Sequence, residues 1–313
     1  MDKKPHYRGR FSQIWIYLGK FLRMFVYQND WKVLPMAALI SGLVAFVVGR
    51  NLFRTQEGTL TGCFSLVCVC VWNGFFNSIQ SVCRERAIIK REHRTGMHIS
   101  SYIVAQMIYQ MLLCLAQTAI LLFVCDRTGV YFPQKGLITD WFLVDLGISM
   151  FLVTYASDML SLVISSIVHT TTTAMTMMPF MLIFQLLFSD GMITLSGSAK
   201  KLCNLTITNW GLKVFCALGD YNNLPMVTLW NTIWKFRSME IDGQKPIKLM
   251  TDYILKNGMR EELLLESGKY NMVASYASTR ENVLMCWGIL VVMCLVFALL
   301  SMILLEFIDN DKR

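Results

Sequence analysis

Long runs without a charged side chain set the rhythm of the chain: 58–83, 95–125, 159–189 and 282–305, with a shorter run at 33–49. Each of the first four exceeds the roughly 18 apolar residues that a membrane-crossing helix needs. The segment 141–168 completes the set if it tolerates Asp145 and Asp158. The pattern predicts six spans, and an even count puts both termini on one side of the membrane. Ahead of them Phe11, Ile14, Trp15, Leu18, Phe21, Leu22 and Phe25 recur at helical spacing, broken by Gln13, Lys20 and Arg23. That predicts an amphipathic helix lying in the interface rather than crossing it. Trp31 and Lys32 then open the first span with an aromatic and a cation, the residue types that anchor helix ends.

The division that follows is fourfold: 1–32, a polar start and the interfacial helix; 33–189, spans one to five; 190–281, a large element between spans five and six; and 282–313, the last span with a short tail. The large element is mixed. Its stretch LCNLTITNWGLKVFCAL at 202–218 is amphipathic and aromatic and reads as re-entrant, because irregular backbone at membrane depth must be buried. Its second half, 235–269, is charged and reads as a surface lid.

Composition agrees with this reading: 55% of the residues are hydrophobic, 16% are charged, and mean hydropathy is +0.47. The fold class is all-α polytopic membrane protein. The net charge of +8 raises nucleic acid as a partner, but the placement of the cations follows the positive-inside rule instead. Seven Lys or Arg precede Val33, five lie within 84–96, and two end the chain, whereas the short loops of the other side carry Arg50, Arg54, Arg127 and Lys135. The expectation is a multi-pass protein of the plasma membrane with cytoplasmic termini, a lipid bilayer around it and no nucleic acid partner.

The ten cysteines match no zinc spacing, and most sit in spans, where Cys behaves as a small hydrophobe. No metal site is read. Cys203 and Cys216 fall in the external element and either form a disulfide or remain two free thiols. Asp145 is expected near the outer end of span four with its carboxylate in reach of water. Asp158 is expected near the inner boundary, bonded to the turn HTTTT at 169–173, and His169 as a solvated turn residue.

One stretch stands apart. RERAIIKREHRTG, 84–96, packs five cations, two carboxylates and a histidine between two uncharged runs. On a helix Glu85, Ile88, Ile89 and Glu92 share one face by the 3, 4 and 7 spacing, with Arg84 and Arg91 on another. Such a stripe fits the docking of a soluble partner; a positive-inside anchor loop fits the same charges.

The series RERAIIKREHRTGMHISSY, followed far downstream by LLFSDGMITLSG, resembles the membrane domain of ABCG-type exporters, the type V fold of ABC transporters. The likeness runs from the interfacial helix to the last span. It implies that 84–96 is a coupling helix and that Glu85, Ile88, Ile89 and Glu92 meet an ABC ATPase subunit. No G-x-x-x-x-G-K-[ST] loop occurs in the sequence, so ATP and magnesium are expected on that partner ATPase and no cofactor on this chain. The chain is then not an enzyme by itself.

The resemblance further implies a substrate cavity between this chain and a second copy or a homologous permease, lined by Cys70, Asn73 and Asn77 of span two and Ile183, Phe184 and Leu187 of span five. Interhelical hydrogen bonding without substrate contact accounts for the two asparagines equally well. An outer gate falls at Asp190, Gly191 and Met192, where multidrug members carry a leucine pair. The function so implied is the permease of an ATP-driven exporter of an amphipathic, lipid-like or peptide cargo, working by alternating access. The alternative is an ABC complex that acts mechanically on an extracytoplasmic partner and moves nothing, which the size of 190–281 and the absent leucine pair suggest.

Overall fold

The computed structural model describes residues 9–28, 30–49, 51–189, 191, 197–240 and 243–307. Among them the chain is helical with no β-strand. Helix α1 (Arg10–Tyr27) precedes α2 (Val33–Val48), α3 (Gln56–Ser78) and α4 (Ser81–Arg94), which follows α3 after two residues. Then come α5 (Ile99–Arg127), α6 (Phe142–Ile167) and α7 (Thr171–Leu187). Short helices α8 (Ser198–Cys203), α9 (Ile207–Leu218), α10 (Thr228–Lys235), α11 (Pro246–Lys256) and α12 (Arg260–Lys269) lead to the long α13 (Arg280–Glu306).

Among the described residues five helical segments are long and apolar enough to cross a membrane: 30–48, 56–94, 99–127, 142–167 and 280–306. The expected fifth span, α7, is apolar but has only 17 residues. At helical rise that is about 25 Å, the short end of what spans a bilayer. Pro179 sits in its interior, where it lacks the N–H that would bond one turn back. The turn before α7 is shorter than HTTTT suggests. Thr170 caps the helix, its hydroxyl accepting from the Thr173 N–H at 3.2 Å, so Thr171–Thr173 belong to the first helical turn.

Helices α3 and α6 form the centre of the bundle, and small residues let them approach. A Cβ on Gly74 would stand 2.3 Å from the Thr154 carbonyl oxygen and 2.8 Å from the Asp158 nitrogen. α13 buries a single stripe, Val283, Cys286, Leu290, Cys294, Ala298, Ser301 and Leu305, against the bundle. Its remaining apolar residues, such as Leu284, Val292 and Ile303, face outward as lipid-facing residues do.

Helix α9 inserts among α3, α6 and α13 at the end of the bundle opposite α4, with Ile207, Leu212, Val214, Phe215 and Cys216 fully buried. Its first N–H groups are satisfied from α7, where the Gln185 side-chain oxygen accepts from Ile207 N at 2.9 Å and Thr208 N at 3.4 Å, and the Thr206 hydroxyl donates to the Phe188 carbonyl at 2.8 Å. Beyond it, α10–α12 form a lid with a small core of its own, Trp230, Ile254 and Leu264. Cys203 and Cys216 are not joined by a disulfide, and Cys216 lies beside Cys63 of α3.

Two aspartates sit elsewhere than the sequence suggested. Asp145 is fully buried rather than wetted, because its carboxylate accepts from Leu137 N (2.8 Å), Ile138 N (2.9 Å), Thr139 N (3.1 Å) and the Thr139 hydroxyl (2.7 Å). It organises the loop entering α6. Asp158 does not reach the turn before α7. Nine helical residues follow it, about 14 Å of helix, and its Oδ2 accepts instead from the Cys114 thiol of α5 at 3.4 Å.

Candidate functional site

The charged stretch of 84–96 is helix α4 and its C-cap, held on two sides. Its first N–H groups, those of Val82 and Cys83, both donate to the Ser165 hydroxyl at 3.1 and 3.2 Å. Arg86 donates to the Ser166 and Val168 carbonyls at 2.8 and 3.3 Å, placing a cation at the C-terminus of α6 where the helix dipole favours it. On the opposite flank lies α1. Lys20 meets Glu85 at 2.9 Å, and the Tyr17 hydroxyl donates to Glu92 at 2.9 Å. Gln13 finishes the seam, donating to the Gly96 carbonyl at 3.2 Å and accepting from His98 N at 2.9 Å.

These contacts arise from the residues of α1 itself. Gln13, Tyr17, Lys20, Phe21 and Met24 recur at helical spacing, so one face of α1 carries a polar row beside an apolar one. Phe21 and Tyr17 pack edge-on to the buried ring of Tyr102 in α5, with centroids 5.4 and 5.7 Å apart. Phe11, Trp15 and Val26 point away and are exposed, as an interfacial helix requires. Burial, then the bond to Glu92, then the nearby charge of Glu85 push the Tyr17 hydroxyl well above the usual phenol range, so it stays a donor.

The stripe of Glu85, Ile88, Ile89 and Glu92 therefore divides. Glu85 is 5% exposed and Ile89 fully buried, with Glu92 partly buried, whereas Ile88 is 40% exposed. At about 100° per residue, Ile88 and Ile89 lie on opposite shoulders of the line through Glu85 and Glu92. Packing against α1 takes one shoulder and leaves the other. The outward face of α4 consists of Arg84, Ala87, Ile88, Arg91 and Arg94: apolar at its centre and basic around it.

The cavity residues divide as well. Cys70 and Asn73 of α3 are buried within the chain, on the side where Gly74 meets α6. Asn77 exchanges two 2.9 Å hydrogen bonds with the Gln117 amide of α5, so its bonding is interhelical. The outward face of α3 is instead Thr61, Cys68, Trp72 and Phe76, rotated from the expected one because Asn73 takes the inward side with Gly74. On α7, Ile183 and Leu187 are exposed in line with Phe180, and Phe184 stacks near Phe188 with centroids 4.8 Å apart. Of the outer-gate trio, Asp190 and Met192 lie outside the described residues. Gly191 is tightly placed, since a Cβ there would stand 2.3 Å from Leu212 of α9.

Residues 12–202, more than half of the chain, match the family model described as ABC-2 type transporter. The chain belongs to that family. It is a permease domain of the ABC-2 type, and the resemblance carried by 84–102 and 186–197 agrees with that assignment. A 156-residue stretch is 28% identical to an ABC transporter ATP-binding/permease protein of Mycobacterium tuberculosis, covering 48% of this chain and 18% of that protein. The match thus spans under a fifth of the relative. As an ABC-2 permease domain, the chain is a membrane component of an ABC transporter.

Sequence reading missed the residues that fix α4. Lys20 reads as an interruption of the amphipathic helix, and nothing in the pattern marks Tyr17 or Ser165 as partners of α4, or Gln185 as the partner of α9. The usable signal is a polar row at spacings of four and three, Gln13, Tyr17 and Lys20, on a helix rich in apolar residues.

Proposed function

We propose that this ABC-2 permease is the membrane subunit of an ATP-driven exporter whose ATPase, with its ATP and magnesium, is another chain. A second copy or a homologous permease completes the path for an amphipathic, lipid-like or peptide cargo, and the termini and α4 face the cytoplasm. The outward face of α4, with Ile88 and Ala87 between Arg84 and Arg91, receives the ATPase. Glu85, Ile89 and Glu92 carry the motion into α1 rather than touching the ATPase.

The observation that carries this reading is the bonding of α4. It is tied by side chains to α1 on one flank and to the end of α6 on the other, so a push on its outward face moves both together. The exposed rows on α3 (Trp72, Phe76) and α7 (Phe180, Ile183, Leu187) supply the apolar surface on which a second permease closes.

The test is reconstitution with the cognate ATPase. Ile88→Asp combined with Arg91→Glu should cut permease-stimulated ATP hydrolysis about tenfold while leaving the thermal midpoint of the permease unchanged. Unaltered stimulation in that variant would remove the docking assignment.

A further inference from the structure

Helices α11 and α12 form a hairpin on the lid, turned at Asn257, Gly258 and Met259, with Gly258 at φ 68°. Its two arms carry opposite charge. On α11, Thr251 and Ile254 are buried, while Leu249, Tyr253 and Lys245, Lys248 and Lys256 fall on the opposite side at about 100° per residue, all exposed. The carboxylate on that side, Asp252, is held by Arg237. On α12, Leu264, Ser267 and Gly268 are buried, and Glu261, Glu262, Leu265 and Glu266 face outward with Lys269. Lys269 closes on Glu266 at 2.5 Å within the same helix.

Three features point to what covers this hairpin. First, neither arm neutralises the other. α11 packs on 236–238 and α10, α12 packs on 221–223 and α10, and the two do not run along each other. Among the described residues Lys245, Lys248 and Lys256 have no carboxylate partner, and Glu261 and Glu262 have no cation. Second, each arm sets apolar groups among its charges: Leu249 and Tyr253 are 66% and 65% exposed, and Leu265 is 48% exposed. Apolar groups inside a charged rim are the anatomy of a protein interface. Third, the surface that fits is present on the same molecule. A basic arm and an acidic arm on one hairpin are complementary to a second copy turned about a two-fold axis, which sets each α11 on the other copy's α12 in one operation.

We propose that the α11–α12 hairpins of two copies of this chain pair about such an axis, basic arm on acidic arm. This rests on the pairing of two permeases through α3 and α7 and narrows it, because the second permease is then a copy. The lid is well placed for it. It stands on the start of α3, where Glu57 accepts from Thr228 N at 2.7 Å, and α3 also carries the exposed Trp72 and Phe76. Anionic lipid headgroups or a separate acidic protein would meet α11 but leave Glu261 and Glu262 uncovered.

The experiment co-expresses two differently tagged copies of the full chain, with a photoreactive side chain in place of Tyr253 in one of them, and identifies the captured peptide by mass spectrometry. The expected capture is 261–266 of the other copy. Lys245→Glu with Lys248→Glu in the photoreactive copy should cut that capture about tenfold, because it sets like charges against Glu261 and Glu262. Glu261→Lys with Glu262→Lys in the other copy should then restore it to within about twofold, a recovery that a folding defect would not show. A photoreactive side chain in place of Phe180 reports the α7 face in parallel. Capture of the copy from position 180 without capture from 253, capture of another protein from 253, or capture that the charge reversal leaves unchanged would overturn the hairpin pairing alone. Absence of capture from both positions would overturn it together with the pairing of permeases.

Discussion

At the α4 end, residues far apart in sequence are joined by specific polar pairs: Lys20 to Glu85, Tyr17 to Glu92, Gln13 to Gly96 and His98, Arg86 to the end of α6. At the other end the lid of α10–α12 depends on three buried side chains, Trp230, Ile254 and Leu264. Its seat on the bundle is narrow. Glu57 at the start of α3 accepts from Thr228 N at 2.7 Å and Val227 N at 3.2 Å, capping α10, and Gln56 donates to the Gly268 carbonyl at 3.2 Å. The contrast teaches where force can pass. A junction of directional bonds to two different helices moves them as one piece, whereas a small cluster with a narrow seat can open without disturbing the bundle.

Mutations that weaken one end while sparing the other sharpen that contrast. The largest local effect is expected from Trp230→Ala, which removes most of the lid core at a cost of about 3 kcal/mol. Limited proteolysis within α10–α12 should accelerate, while the thermal midpoint of the bundle stays within a degree or so of wild type. Glu85→Ala strands Lys20 against a buried surface and should cost about 2 kcal/mol, seen as a lowered midpoint in detergent and faster cleavage near the start of α1. Gln185→Leu uncaps α9 and should cost about 1.5 kcal/mol, destabilising the bundle from the lid side without changing the accessibility of α1. The smallest effect is expected from Tyr270→Ala, since Tyr270 is 91% exposed; a change beyond about 0.5 kcal/mol would mean that the lid has a partner surface on this protein.

The spans were legible because an uncharged run of twenty residues leaves few structures open to it, and the runs at 58–83, 95–125 and 282–305 became α3, α5 and α13. Which side of a helix faces its neighbours was not legible. In α3 the inward side is set by Gly74, whose missing Cβ admits the backbone of α6, and Asn73 follows it inward while half-buried Asn77 turns to Gln117 of α5. In α4 the spacing of Glu85, Ile88, Ile89 and Glu92 gives a face about 100° wide without saying which shoulder meets α1. Asp145 shows a similar limit. Sequence placed it near a helix end, but the N–H groups that surround it come from a loop whose path is not written in its periodicity.

The central claim is that the outward shoulder of α4 meets an ATPase while the inward shoulder grips α1. The most direct measurement incorporates a photoreactive side chain at Ile88, at Arg91 and, for contrast, at Tyr270, in the assembled transporter. The account predicts that positions 88 and 91 crosslink to a chain carrying a phosphate-binding loop, identified by mass spectrometry, and that position 270 does not. Absence of that chain from both α4 crosslinks, or its equal capture from the lid, would contradict it.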